Sequence, residues 1–351
     1  MVPEKKPYLI IPHLIEQPTW GGSYICEKKG WLTKRELKGK KFGQSYELYS
    51  KTKLAVGISS TEDILFDPYF SNTIEAIVFQ TNKPFPLIKF TQAKGNSFQL
   101  HIRPGVNDSY WQPKAESWYF FEPGKMTFGI KKGIKVEEYK KVCKDINNKM
   151  KELCSLISEK KINTQVAEQT AKEYIKSQNP WYYVNVYETN KGDVVDLSGG
   201  GIHHSWEECP QGNILYEIQQ DVMDPVSTIR AFDQGKIKED GAIREVQIED
   251  YFKHIDLDEK RNTLTIEKKK SESIFNTPHY SLDSFAINKE RKLKSSTSFH
   301  HLFVKEGGVT ILDENNNKLF IGRGHSCFVP QGVNYSITPR ERSEVLLTYL
   351  Q

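Results

Sequence analysis

Gly192-Asp193-Val194-Val195-Asp196-Leu197-Ser198-Gly199-Gly200-Gly201-Ile202-His203 and Gly324-His325-Ser326-Cys327-Phe328-Val329-Pro330-Gln331-Gly332-Val333-Asn334-Tyr335 share one spacing. In each, a glycine is followed six residues on by Ser198 or Pro330, two later by Gly200 or Gly332, and three later by His203 or Tyr335. Upstream, Phe120-Phe121-Glu122-Pro123-Gly124-Lys125-Met126-Thr127 is similar to Phe303-Val304-Lys305-Glu306-Gly307-Gly308-Val309-Thr310. Gly124 lies farther from His203 than Gly307 does from Tyr335, and the stretch between 132 and 180 accounts for most of the excess. The chain therefore reads as two related β units, the first interrupted by an insertion.

The insertion has helical texture. Val136, Tyr139, Cys143, Ile146, Met150, Leu153 and Ile157 recur at spacings of three and four, which places one apolar stripe along a helix. A second helix is expected over about 166–175, ended by Asn179-Pro180. Both stripes are packing faces and take no catalytic role. Elsewhere short apolar runs alternate with Gly, Pro, Asp and Asn breaks, the texture of antiparallel strands. Trp20-Gly21-Gly22 reads as a tight turn, and Gly43 to Tyr49 as a strand with Ser45 and Glu47 on one face. Leu264 to Lys270 and His279 to Ile287 read as further strands. The Lys- and Ser-rich run 289–298 reads as an exposed loop.

Length and composition bound the function. At 351 residues the chain is long enough for two packed units. A net charge of +4 is small for that length, which argues against a dedicated nucleic-acid binder while leaving room for a local basic pocket. The five cysteines, Cys26, Cys143, Cys154, Cys209 and Cys327, are scattered and form no Cys-x-x-Cys. A reducing, cytoplasmic setting is expected rather than a disulfide framework. No signal peptide or membrane-spanning run is expected.

Within the first unit, Ser97-Phe98-Gln99-Leu100-His101 alternates polar and apolar residues. Successive strand side chains point to opposite faces, so Ser97, Gln99 and His101 share one face and Phe98 and Leu100 the other. A Gln-x-His strand on its own is an ordinary solvated face. With Glu116 nearby it offers oxygen and nitrogen donors suited to a divalent metal such as zinc. His13, His254, His279, His300, His301 and His325 follow no such pattern and read as surface or structural residues. Lys89, Lys114 and Arg230 would each be a surface charge in isolation. Beside Ser97 they form a set able to hold a phosphorylated ligand, with arginine as a fixed fork and lysine as a point charge.

The spacing glycine, x5, proline, x, glycine, x2, histidine resembles the second motif of the cupin β-barrels, whose histidine closes a metal site. The first unit keeps the histidine with Ser198 in place of proline; the second keeps Pro330 and has Tyr335 in place of histidine. One metal site, in the first unit, is inferred from this resemblance: His203 would join Gln99, His101 and Glu116 as two nitrogens and two oxygens, a donor set suited to catalytic zinc, with His204 its rival. Over nearly its whole length the chain further resembles the type I mannose-6-phosphate isomerases. The resemblance rests on Trp20-Gly21-Gly22, Gly43-x-Ser45-x-Glu47, Pro86-Leu87-Ile88-Lys89, Ser97-x-Gln99-x-His101, Lys114-x-Glu116, Gly200-Gly201-Ile202-His203, Glu217-Ile218-Gln219-Gln220 and Arg230. Arg244 to Glu249 and Ile255-Asp256 resemble the segment joining the two units of that family.

The resemblance implies a mainly β fold of two cupin-like jelly-roll units. Residues 1–131 and 181–260 would form the catalytic unit, 132–180 its helical insertion, and 261–351 a second unit without a metal site. It implies one zinc ion per chain, held by Gln99, His101, Glu116 and His203. Arg230 would be the catalytic arginine, and Ser97, Lys89 and Lys114 would line a pocket for a small sugar phosphate. The implied reaction interconverts mannose 6-phosphate and fructose 6-phosphate through a cis-enediolate. The sequence departs from the family at Ile102-Arg103-Pro104, at Ser198-Gly199-Gly200-Gly201, and in extra residues around Trp206-Glu207-Glu208-Cys209. Those departures keep open a related metal cupin acting on another sugar, or a non-catalytic sugar-phosphate-binding cupin. Oligomeric state is not legible.

Overall fold

Two strands set the pattern that positions the site, Pro86–Ala93 and Asn213–Gln220. They pair antiparallel, with Glu217 opposite Lys89 and Tyr216 opposite Phe90. One face, carrying Ile88, Phe90, Tyr216 and Ile218, enters the largest apolar core. The other presents Lys89, Thr91, Glu217 and Gln219 to a cavity. Nearly every residue of both strands is buried, because the sheet is covered on both sides and the period of two decides which side is apolar.

The computed structural model describes residues 3–64, 71–206, 211–238, 240–268 and 271–351. Its strands are antiparallel and form four sheets. The sheet just introduced has seven strands, in the order Glu267–Lys268, Asp193–Asp196, Glu116–Phe120, Asn213–Gln220, Pro86–Ala93, Phe42–Leu48 and His13–Glu16. Across the cavity lies a five-stranded sheet, Val184–Thr189, Gly124–Ile130, Gly201–Ser205, Phe98–His101 and Ile229–Phe232. The remaining strands form an eight-stranded sheet and a four-stranded sheet. Phe90, Phe121 and Tyr216 of the first part meet Phe303 of the eight-stranded sheet with ring centroids 5.4–5.7 Å apart, which welds the two halves through one core.

The helical stripe is where the spacing placed it. Val136–Ser158 buries Tyr139, Cys143, Ile146, Met150 and Leu153, and Val136 and Ile157 are partly buried. The second helix, Thr164–Gln178, is longer than the expected 166–175. Asn163 caps it by accepting from the Val166 N–H at 2.8 Å, and Asn179 ends it in the left-handed region. Both helices cover the outer face of the five-stranded sheet, against Phe98, Leu100, Ile202, Ile229 and Ala231. Each large side chain buried there contributes about 1.5–3 kcal/mol. That cover fixes the opposite faces of the same strands toward the cavity.

The repeated spacing has a backbone counterpart. Gly192, Gly200, Gly324 and Gly332 all have positive φ, at 87°, 69°, 77° and 95°. A Cβ on Gly200 would also stand 2.8 Å from the carbonyl oxygens of His101 and Ile102, so this turn needs glycine on two counts.

Two expectations are corrected. Arg291–Lys294, within the run expected to be a loop, is a strand paired with Asn334–Pro339. Its residues alternate between partly buried and exposed, and the lysines that suggested a loop decorate an edge. The expected strand over 264–270 is reduced to Glu267–Lys268 among the described residues. The eight-stranded sheet also draws strands from the first hundred residues. Tyr8–Ile11, Lys53–Ala55 and Thr73–Glu75 belong to the eight-stranded sheet, where Tyr8 and Leu9 pair with Phe328 and Cys327. The apolar run Tyr8-Leu9-Ile10 is buried in the same core that takes Ile88, Phe90, Tyr216 and Ile218.

Candidate metal and sugar-phosphate site

Gln99 and His203 are register partners on neighbouring strands, as are His101 and Gly201. Glu116 begins the strand facing them from the other sheet. The alternation that buries Phe98 and Leu100 under the helices therefore sends Gln99 and His101 inward. The ligand atoms of His101, Glu116 and His203 lie within 4.8 Å of one another, and all three residues are buried. The Gln99 amide nitrogen is 3.0 Å from His203 Nε2; turning that amide over would present its oxygen at the same place.

The surroundings of these donors aim their lone pairs at one point. His101 Nδ1 lies 2.6 Å from the Ser227 carbonyl oxygen and His203 Nδ1 lies 3.1 Å from that of Gly201. A carbonyl can only accept, so each Nδ1 carries its proton, and in the neutral ring Nε2 is a bare acceptor. Burial, with the neighbouring His101, pushes the His203 pKa down to about 3 and keeps this ring neutral. Glu116 Oε1 accepts from Trp118 Nε1 at 2.5 Å, and its Oε2 stands 3.2 Å from His101 Nε2. Burial pushes the Glu116 pKa up, but neighbouring positive charge, that of Lys114 foremost, outweighs it, and the carboxyl stays well below its usual range. Acceptors facing acceptors in a buried setting call for a cation between them, and a set of two imidazoles, a carboxylate and an amide fits zinc. His204, the rival, points to the opposite face, where its Nδ1 is 2.5 Å from Thr127 Oγ1 and its ring lies 3.9 Å from that of Phe98.

Above these donors is a cavity of about 350 Å³. Lys89, Lys114, Ser97 and Arg230, all expected at the site, line it. Lys89 Nζ is 2.9 Å from Glu217 Oε1, and Thr91 donates to Glu217 Oε2 at 2.9 Å. Lys114 Nζ is 3.5 Å from Asp224 Oδ1. Arg230 donates to Asp224 Oδ2 at 2.7 Å, to Ser97 Oγ at 3.1 Å and to the Thr228 carbonyl at 3.2 Å. Burial disfavours the Lys89 charge, but Glu217 more than offsets it and the net shift is upward. Lys114 is shifted downward, first by burial and then by the charge of Lys89. Glu217 is shifted upward, chiefly by burial. The cavity thus holds one carboxyl and one ammonium whose pKa values are each displaced toward neutrality.

Asp224 and Ser205 were not named by sequence reasoning, and Glu217, Gln219 and Arg244 were named only within stretches that carry the resemblance and given no site role; all five line the cavity. One signal for Glu217 was available: a lone charge inside the otherwise apolar strand Ile214-Leu215-Tyr216-Glu217-Ile218. Arg103, in the departure Ile102-Arg103-Pro104, is engaged away from the cavity. It pairs with Asp256 and donates to the carbonyls of Gly199 and Arg261 at 3.1 and 2.9 Å, clamping the exit of the Gln99–His101 strand to two other segments. Glu207, Glu208 and Cys209 lie outside the described residues.

Comparison with solved structures agrees on the fold. The mannose 6-phosphate isomerase from Bacillus subtilis superposes with a TM-score of 0.66 over 99% of this chain and 100% of that one, at 16% identity. A putative mannosephosphate isomerase from Archaeoglobus fulgidus gives 0.62 over 99% and 98%, at 17% identity. A zinc-bound mannose 6-phosphate isomerase gives 0.64 over 98% and 99%, at 11% identity. The chain has the mainly β fold of the mannose-6-phosphate isomerases over nearly its full length. No family model matches the chain. No curated protein matches it in sequence.

Proposed function

We propose that the protein is a zinc-dependent aldose–ketose isomerase that interconverts mannose 6-phosphate and fructose 6-phosphate. The observation that carries the reading is the convergence of Gln99, His101, Glu116 and His203 at the floor of a cavity walled by Lys89, Lys114, Glu217, Asp224 and Arg230. These four residues would hold one zinc ion per chain, and the ion would supply Lewis-acid stabilisation of negative charge on the substrate oxygens. Two jelly-roll units, the first metal-binding and the second not, are the architecture this reading implies.

Moving a proton between C2 and C1 passes through a cis-enediolate. Glu217 is the residue suited to carry that proton. It is buried, its pKa is raised, and Lys89 and Thr91 hold its two oxygens in place. A carboxyl displaced toward neutral pH is an efficient proton carrier there. Arg230, fixed by Ser97, Thr228 and Asp224, supplies positive charge that needs no rearrangement as the enediolate forms. Lys114, with its pKa depressed, can return a proton to a substrate oxygen. Among the charged residues lining the cavity, Lys89, Lys114, Arg230 and Arg244 balance Glu116, Glu217, Asp221 and Asp224. A divalent cation then leaves an excess of positive charge that matches a phosphate dianion.

The test is direct. Zinc-loaded protein is incubated with mannose 6-phosphate and fructose 6-phosphate is measured; absence of turnover with stoichiometric zinc bound overturns the assignment.

A further inference from the structure

The cations nearest the metal donors are already committed to carboxylates. Lys89 is held by Glu217, Lys114 faces Asp224, and Arg230 uses three of its nitrogens on Asp224, Ser97 and Thr228. A ligand phosphate placed on any of them must first compete with an anion of the protein. Arg244 is different. It lines the same cavity, its side chain is 40% exposed, and its Nε lies 3.5 Å from Asp233 Oδ2. Among the described residues its two terminal nitrogens make no hydrogen bond. Those nitrogens form the edge of the guanidinium that grips an oxyanion with two parallel bonds.

A second observation points to the same end of the cavity. Ser205 Oγ is buried, lines the cavity and has no hydrogen-bond partner among the described residues. An orphaned buried hydroxyl costs stability unless something completes it. The Ser205 N–H is fixed by Asn96 Oδ1 at 2.7 Å, so the residue is held in place while its hydroxyl is left open. Ser97 Oγ accepts from Arg230 Nε and keeps its own O–H to donate.

Register relates these groups to the metal donors. Gln99 pairs with His203, so Ser97 and Ser205 come two residues farther along their strands on the same inward face. At the rise of an extended strand that is about 7 Å from the donor row. The loop bearing Asp233 passes over the same end, because Lys236 donates to the Gly95 carbonyl next to Asn96. Beyond Arg244 a second cavity, of about 460 Å³, shares Arg244 and Gln17 with the first. A dianion seated here would keep part of its hydration.

We infer that the phosphate of the substrate docks on Arg244 and the paired hydroxyls Ser97 and Ser205, one strand step beyond the metal donors, and not on Lys89 or Lys114. This rests on the sugar-phosphate reading and adds the residues that set it. Lys89 and Lys114 are left for the reacting carbons, and the hexose chain spans from the donor row to the serine row. Arg244 and Ser205 are positioning and specificity residues, since they meet the end of the substrate that does not react.

The test measures binding apart from turnover. A hexitol 6-phosphate, which cannot isomerise, and the unphosphorylated hexitol are titrated calorimetrically into metal-free and zinc-loaded full-length protein. The wild type should bind the phosphorylated probe more tightly in both forms. Arg244→Gln should weaken that binding 10- to 100-fold and Ser205→Ala several-fold, with binding of the plain hexitol unchanged in each. Arg244→Lys should restore part of the loss. In turnover, Arg244→Gln should raise KM and leave kcat near wild type. Phosphate-dependent binding that is within twofold of wild type in Arg244→Gln, or no preference for the phosphorylated probe in the wild type, overturns the proposal. Tight, Arg244-dependent binding without turnover of mannose 6-phosphate would instead overturn the isomerase assignment and keep the docking site.

Discussion

Lys89→Met keeps the length and apolar stem of the side chain and removes only Nζ, which lies 2.9 Å from Glu217 Oε1. Both members of the pair are more than nine-tenths buried. The variant leaves a buried carboxylate with Thr91 as its remaining side-chain donor, and breaking a buried pair in this way costs about 3–5 kcal/mol. For a chain of this length that corresponds to a fall in Tm of about 4–7 °C, using the usual unfolding entropy per residue. The double variant Lys89→Met/Glu217→Leu removes both charges and should recover most of the loss, because the desolvation cost disappears with them. The penalty also has a pH signature. The Glu217 pKa is raised in the folded protein, chiefly by burial, and rises further without Lys89. The folded single variant therefore binds a proton that the unfolded chain does not, and its stability increases relative to wild type as pH falls. Differential scanning calorimetry of the three proteins at pH 8 and pH 5.5 reads both effects. A single variant as stable as wild type at pH 8, or a double variant as unstable as the single, would refute the account of this pair.

Three further outcomes follow from the geometry. His203→Ala removes one of four converging donors and should lose stoichiometric zinc by metal analysis while keeping its circular dichroism spectrum; retained zinc would show that His203 is not a ligand. Arg230→Ala should keep zinc and lose about 10²- to 10³-fold in kcat, whereas an unchanged rate would remove Arg230 from the mechanism. His300, His301 and His325 are buried, and burial pushes their pKa values down to about 4, 3 and 3. The unfolded chain takes up protons near pH 6.5 and the folded one does not, so stability is full above that pH and is lost as pH falls from about 6.5 toward 4. The loss is about 2 kcal/mol per histidine at pH 5, and His301→Gln should flatten the slope by one proton in metal-free melts.

Period-two alternation made the polar row of Gln99 and His101 legible. Phe98 and Leu100 announced an apolar face, and Gln99 and His101 the face opposite. The repeated glycines were legible because each marks a left-handed turn that few other residues tolerate. Glu217, Asp224 and Arg244 were not, since their roles come from what stands across the cavity, and no local pattern reports a partner on another strand. The same holds for the N-terminal strand. Tyr8-Leu9-Ile10 reads as an apolar run, but nothing local says that its hydrogen-bonding partners are Cys327 and Phe328. The run 289–298 failed for a different reason: on an edge strand, lysines at exposed positions look like loop composition.

The strand Tyr8–Ile11 has a consequence for the order of synthesis. Its partner on one side, Lys53–Ala55, is made soon after it, but its partner on the other, Ser326–Val329, is made only after the intervening segments 56–325. Until then the eight-stranded sheet is interrupted between those two strands, and an apolar edge waits through the synthesis of everything between. Such an edge is a template for pairing with other chains. Synthesis of Ser326–Val329, and not completion of the residues that converge on the cavity, is then the event that lets this edge pair within its own chain. Chains truncated before residue 326 should partition to aggregates even with every metal donor present.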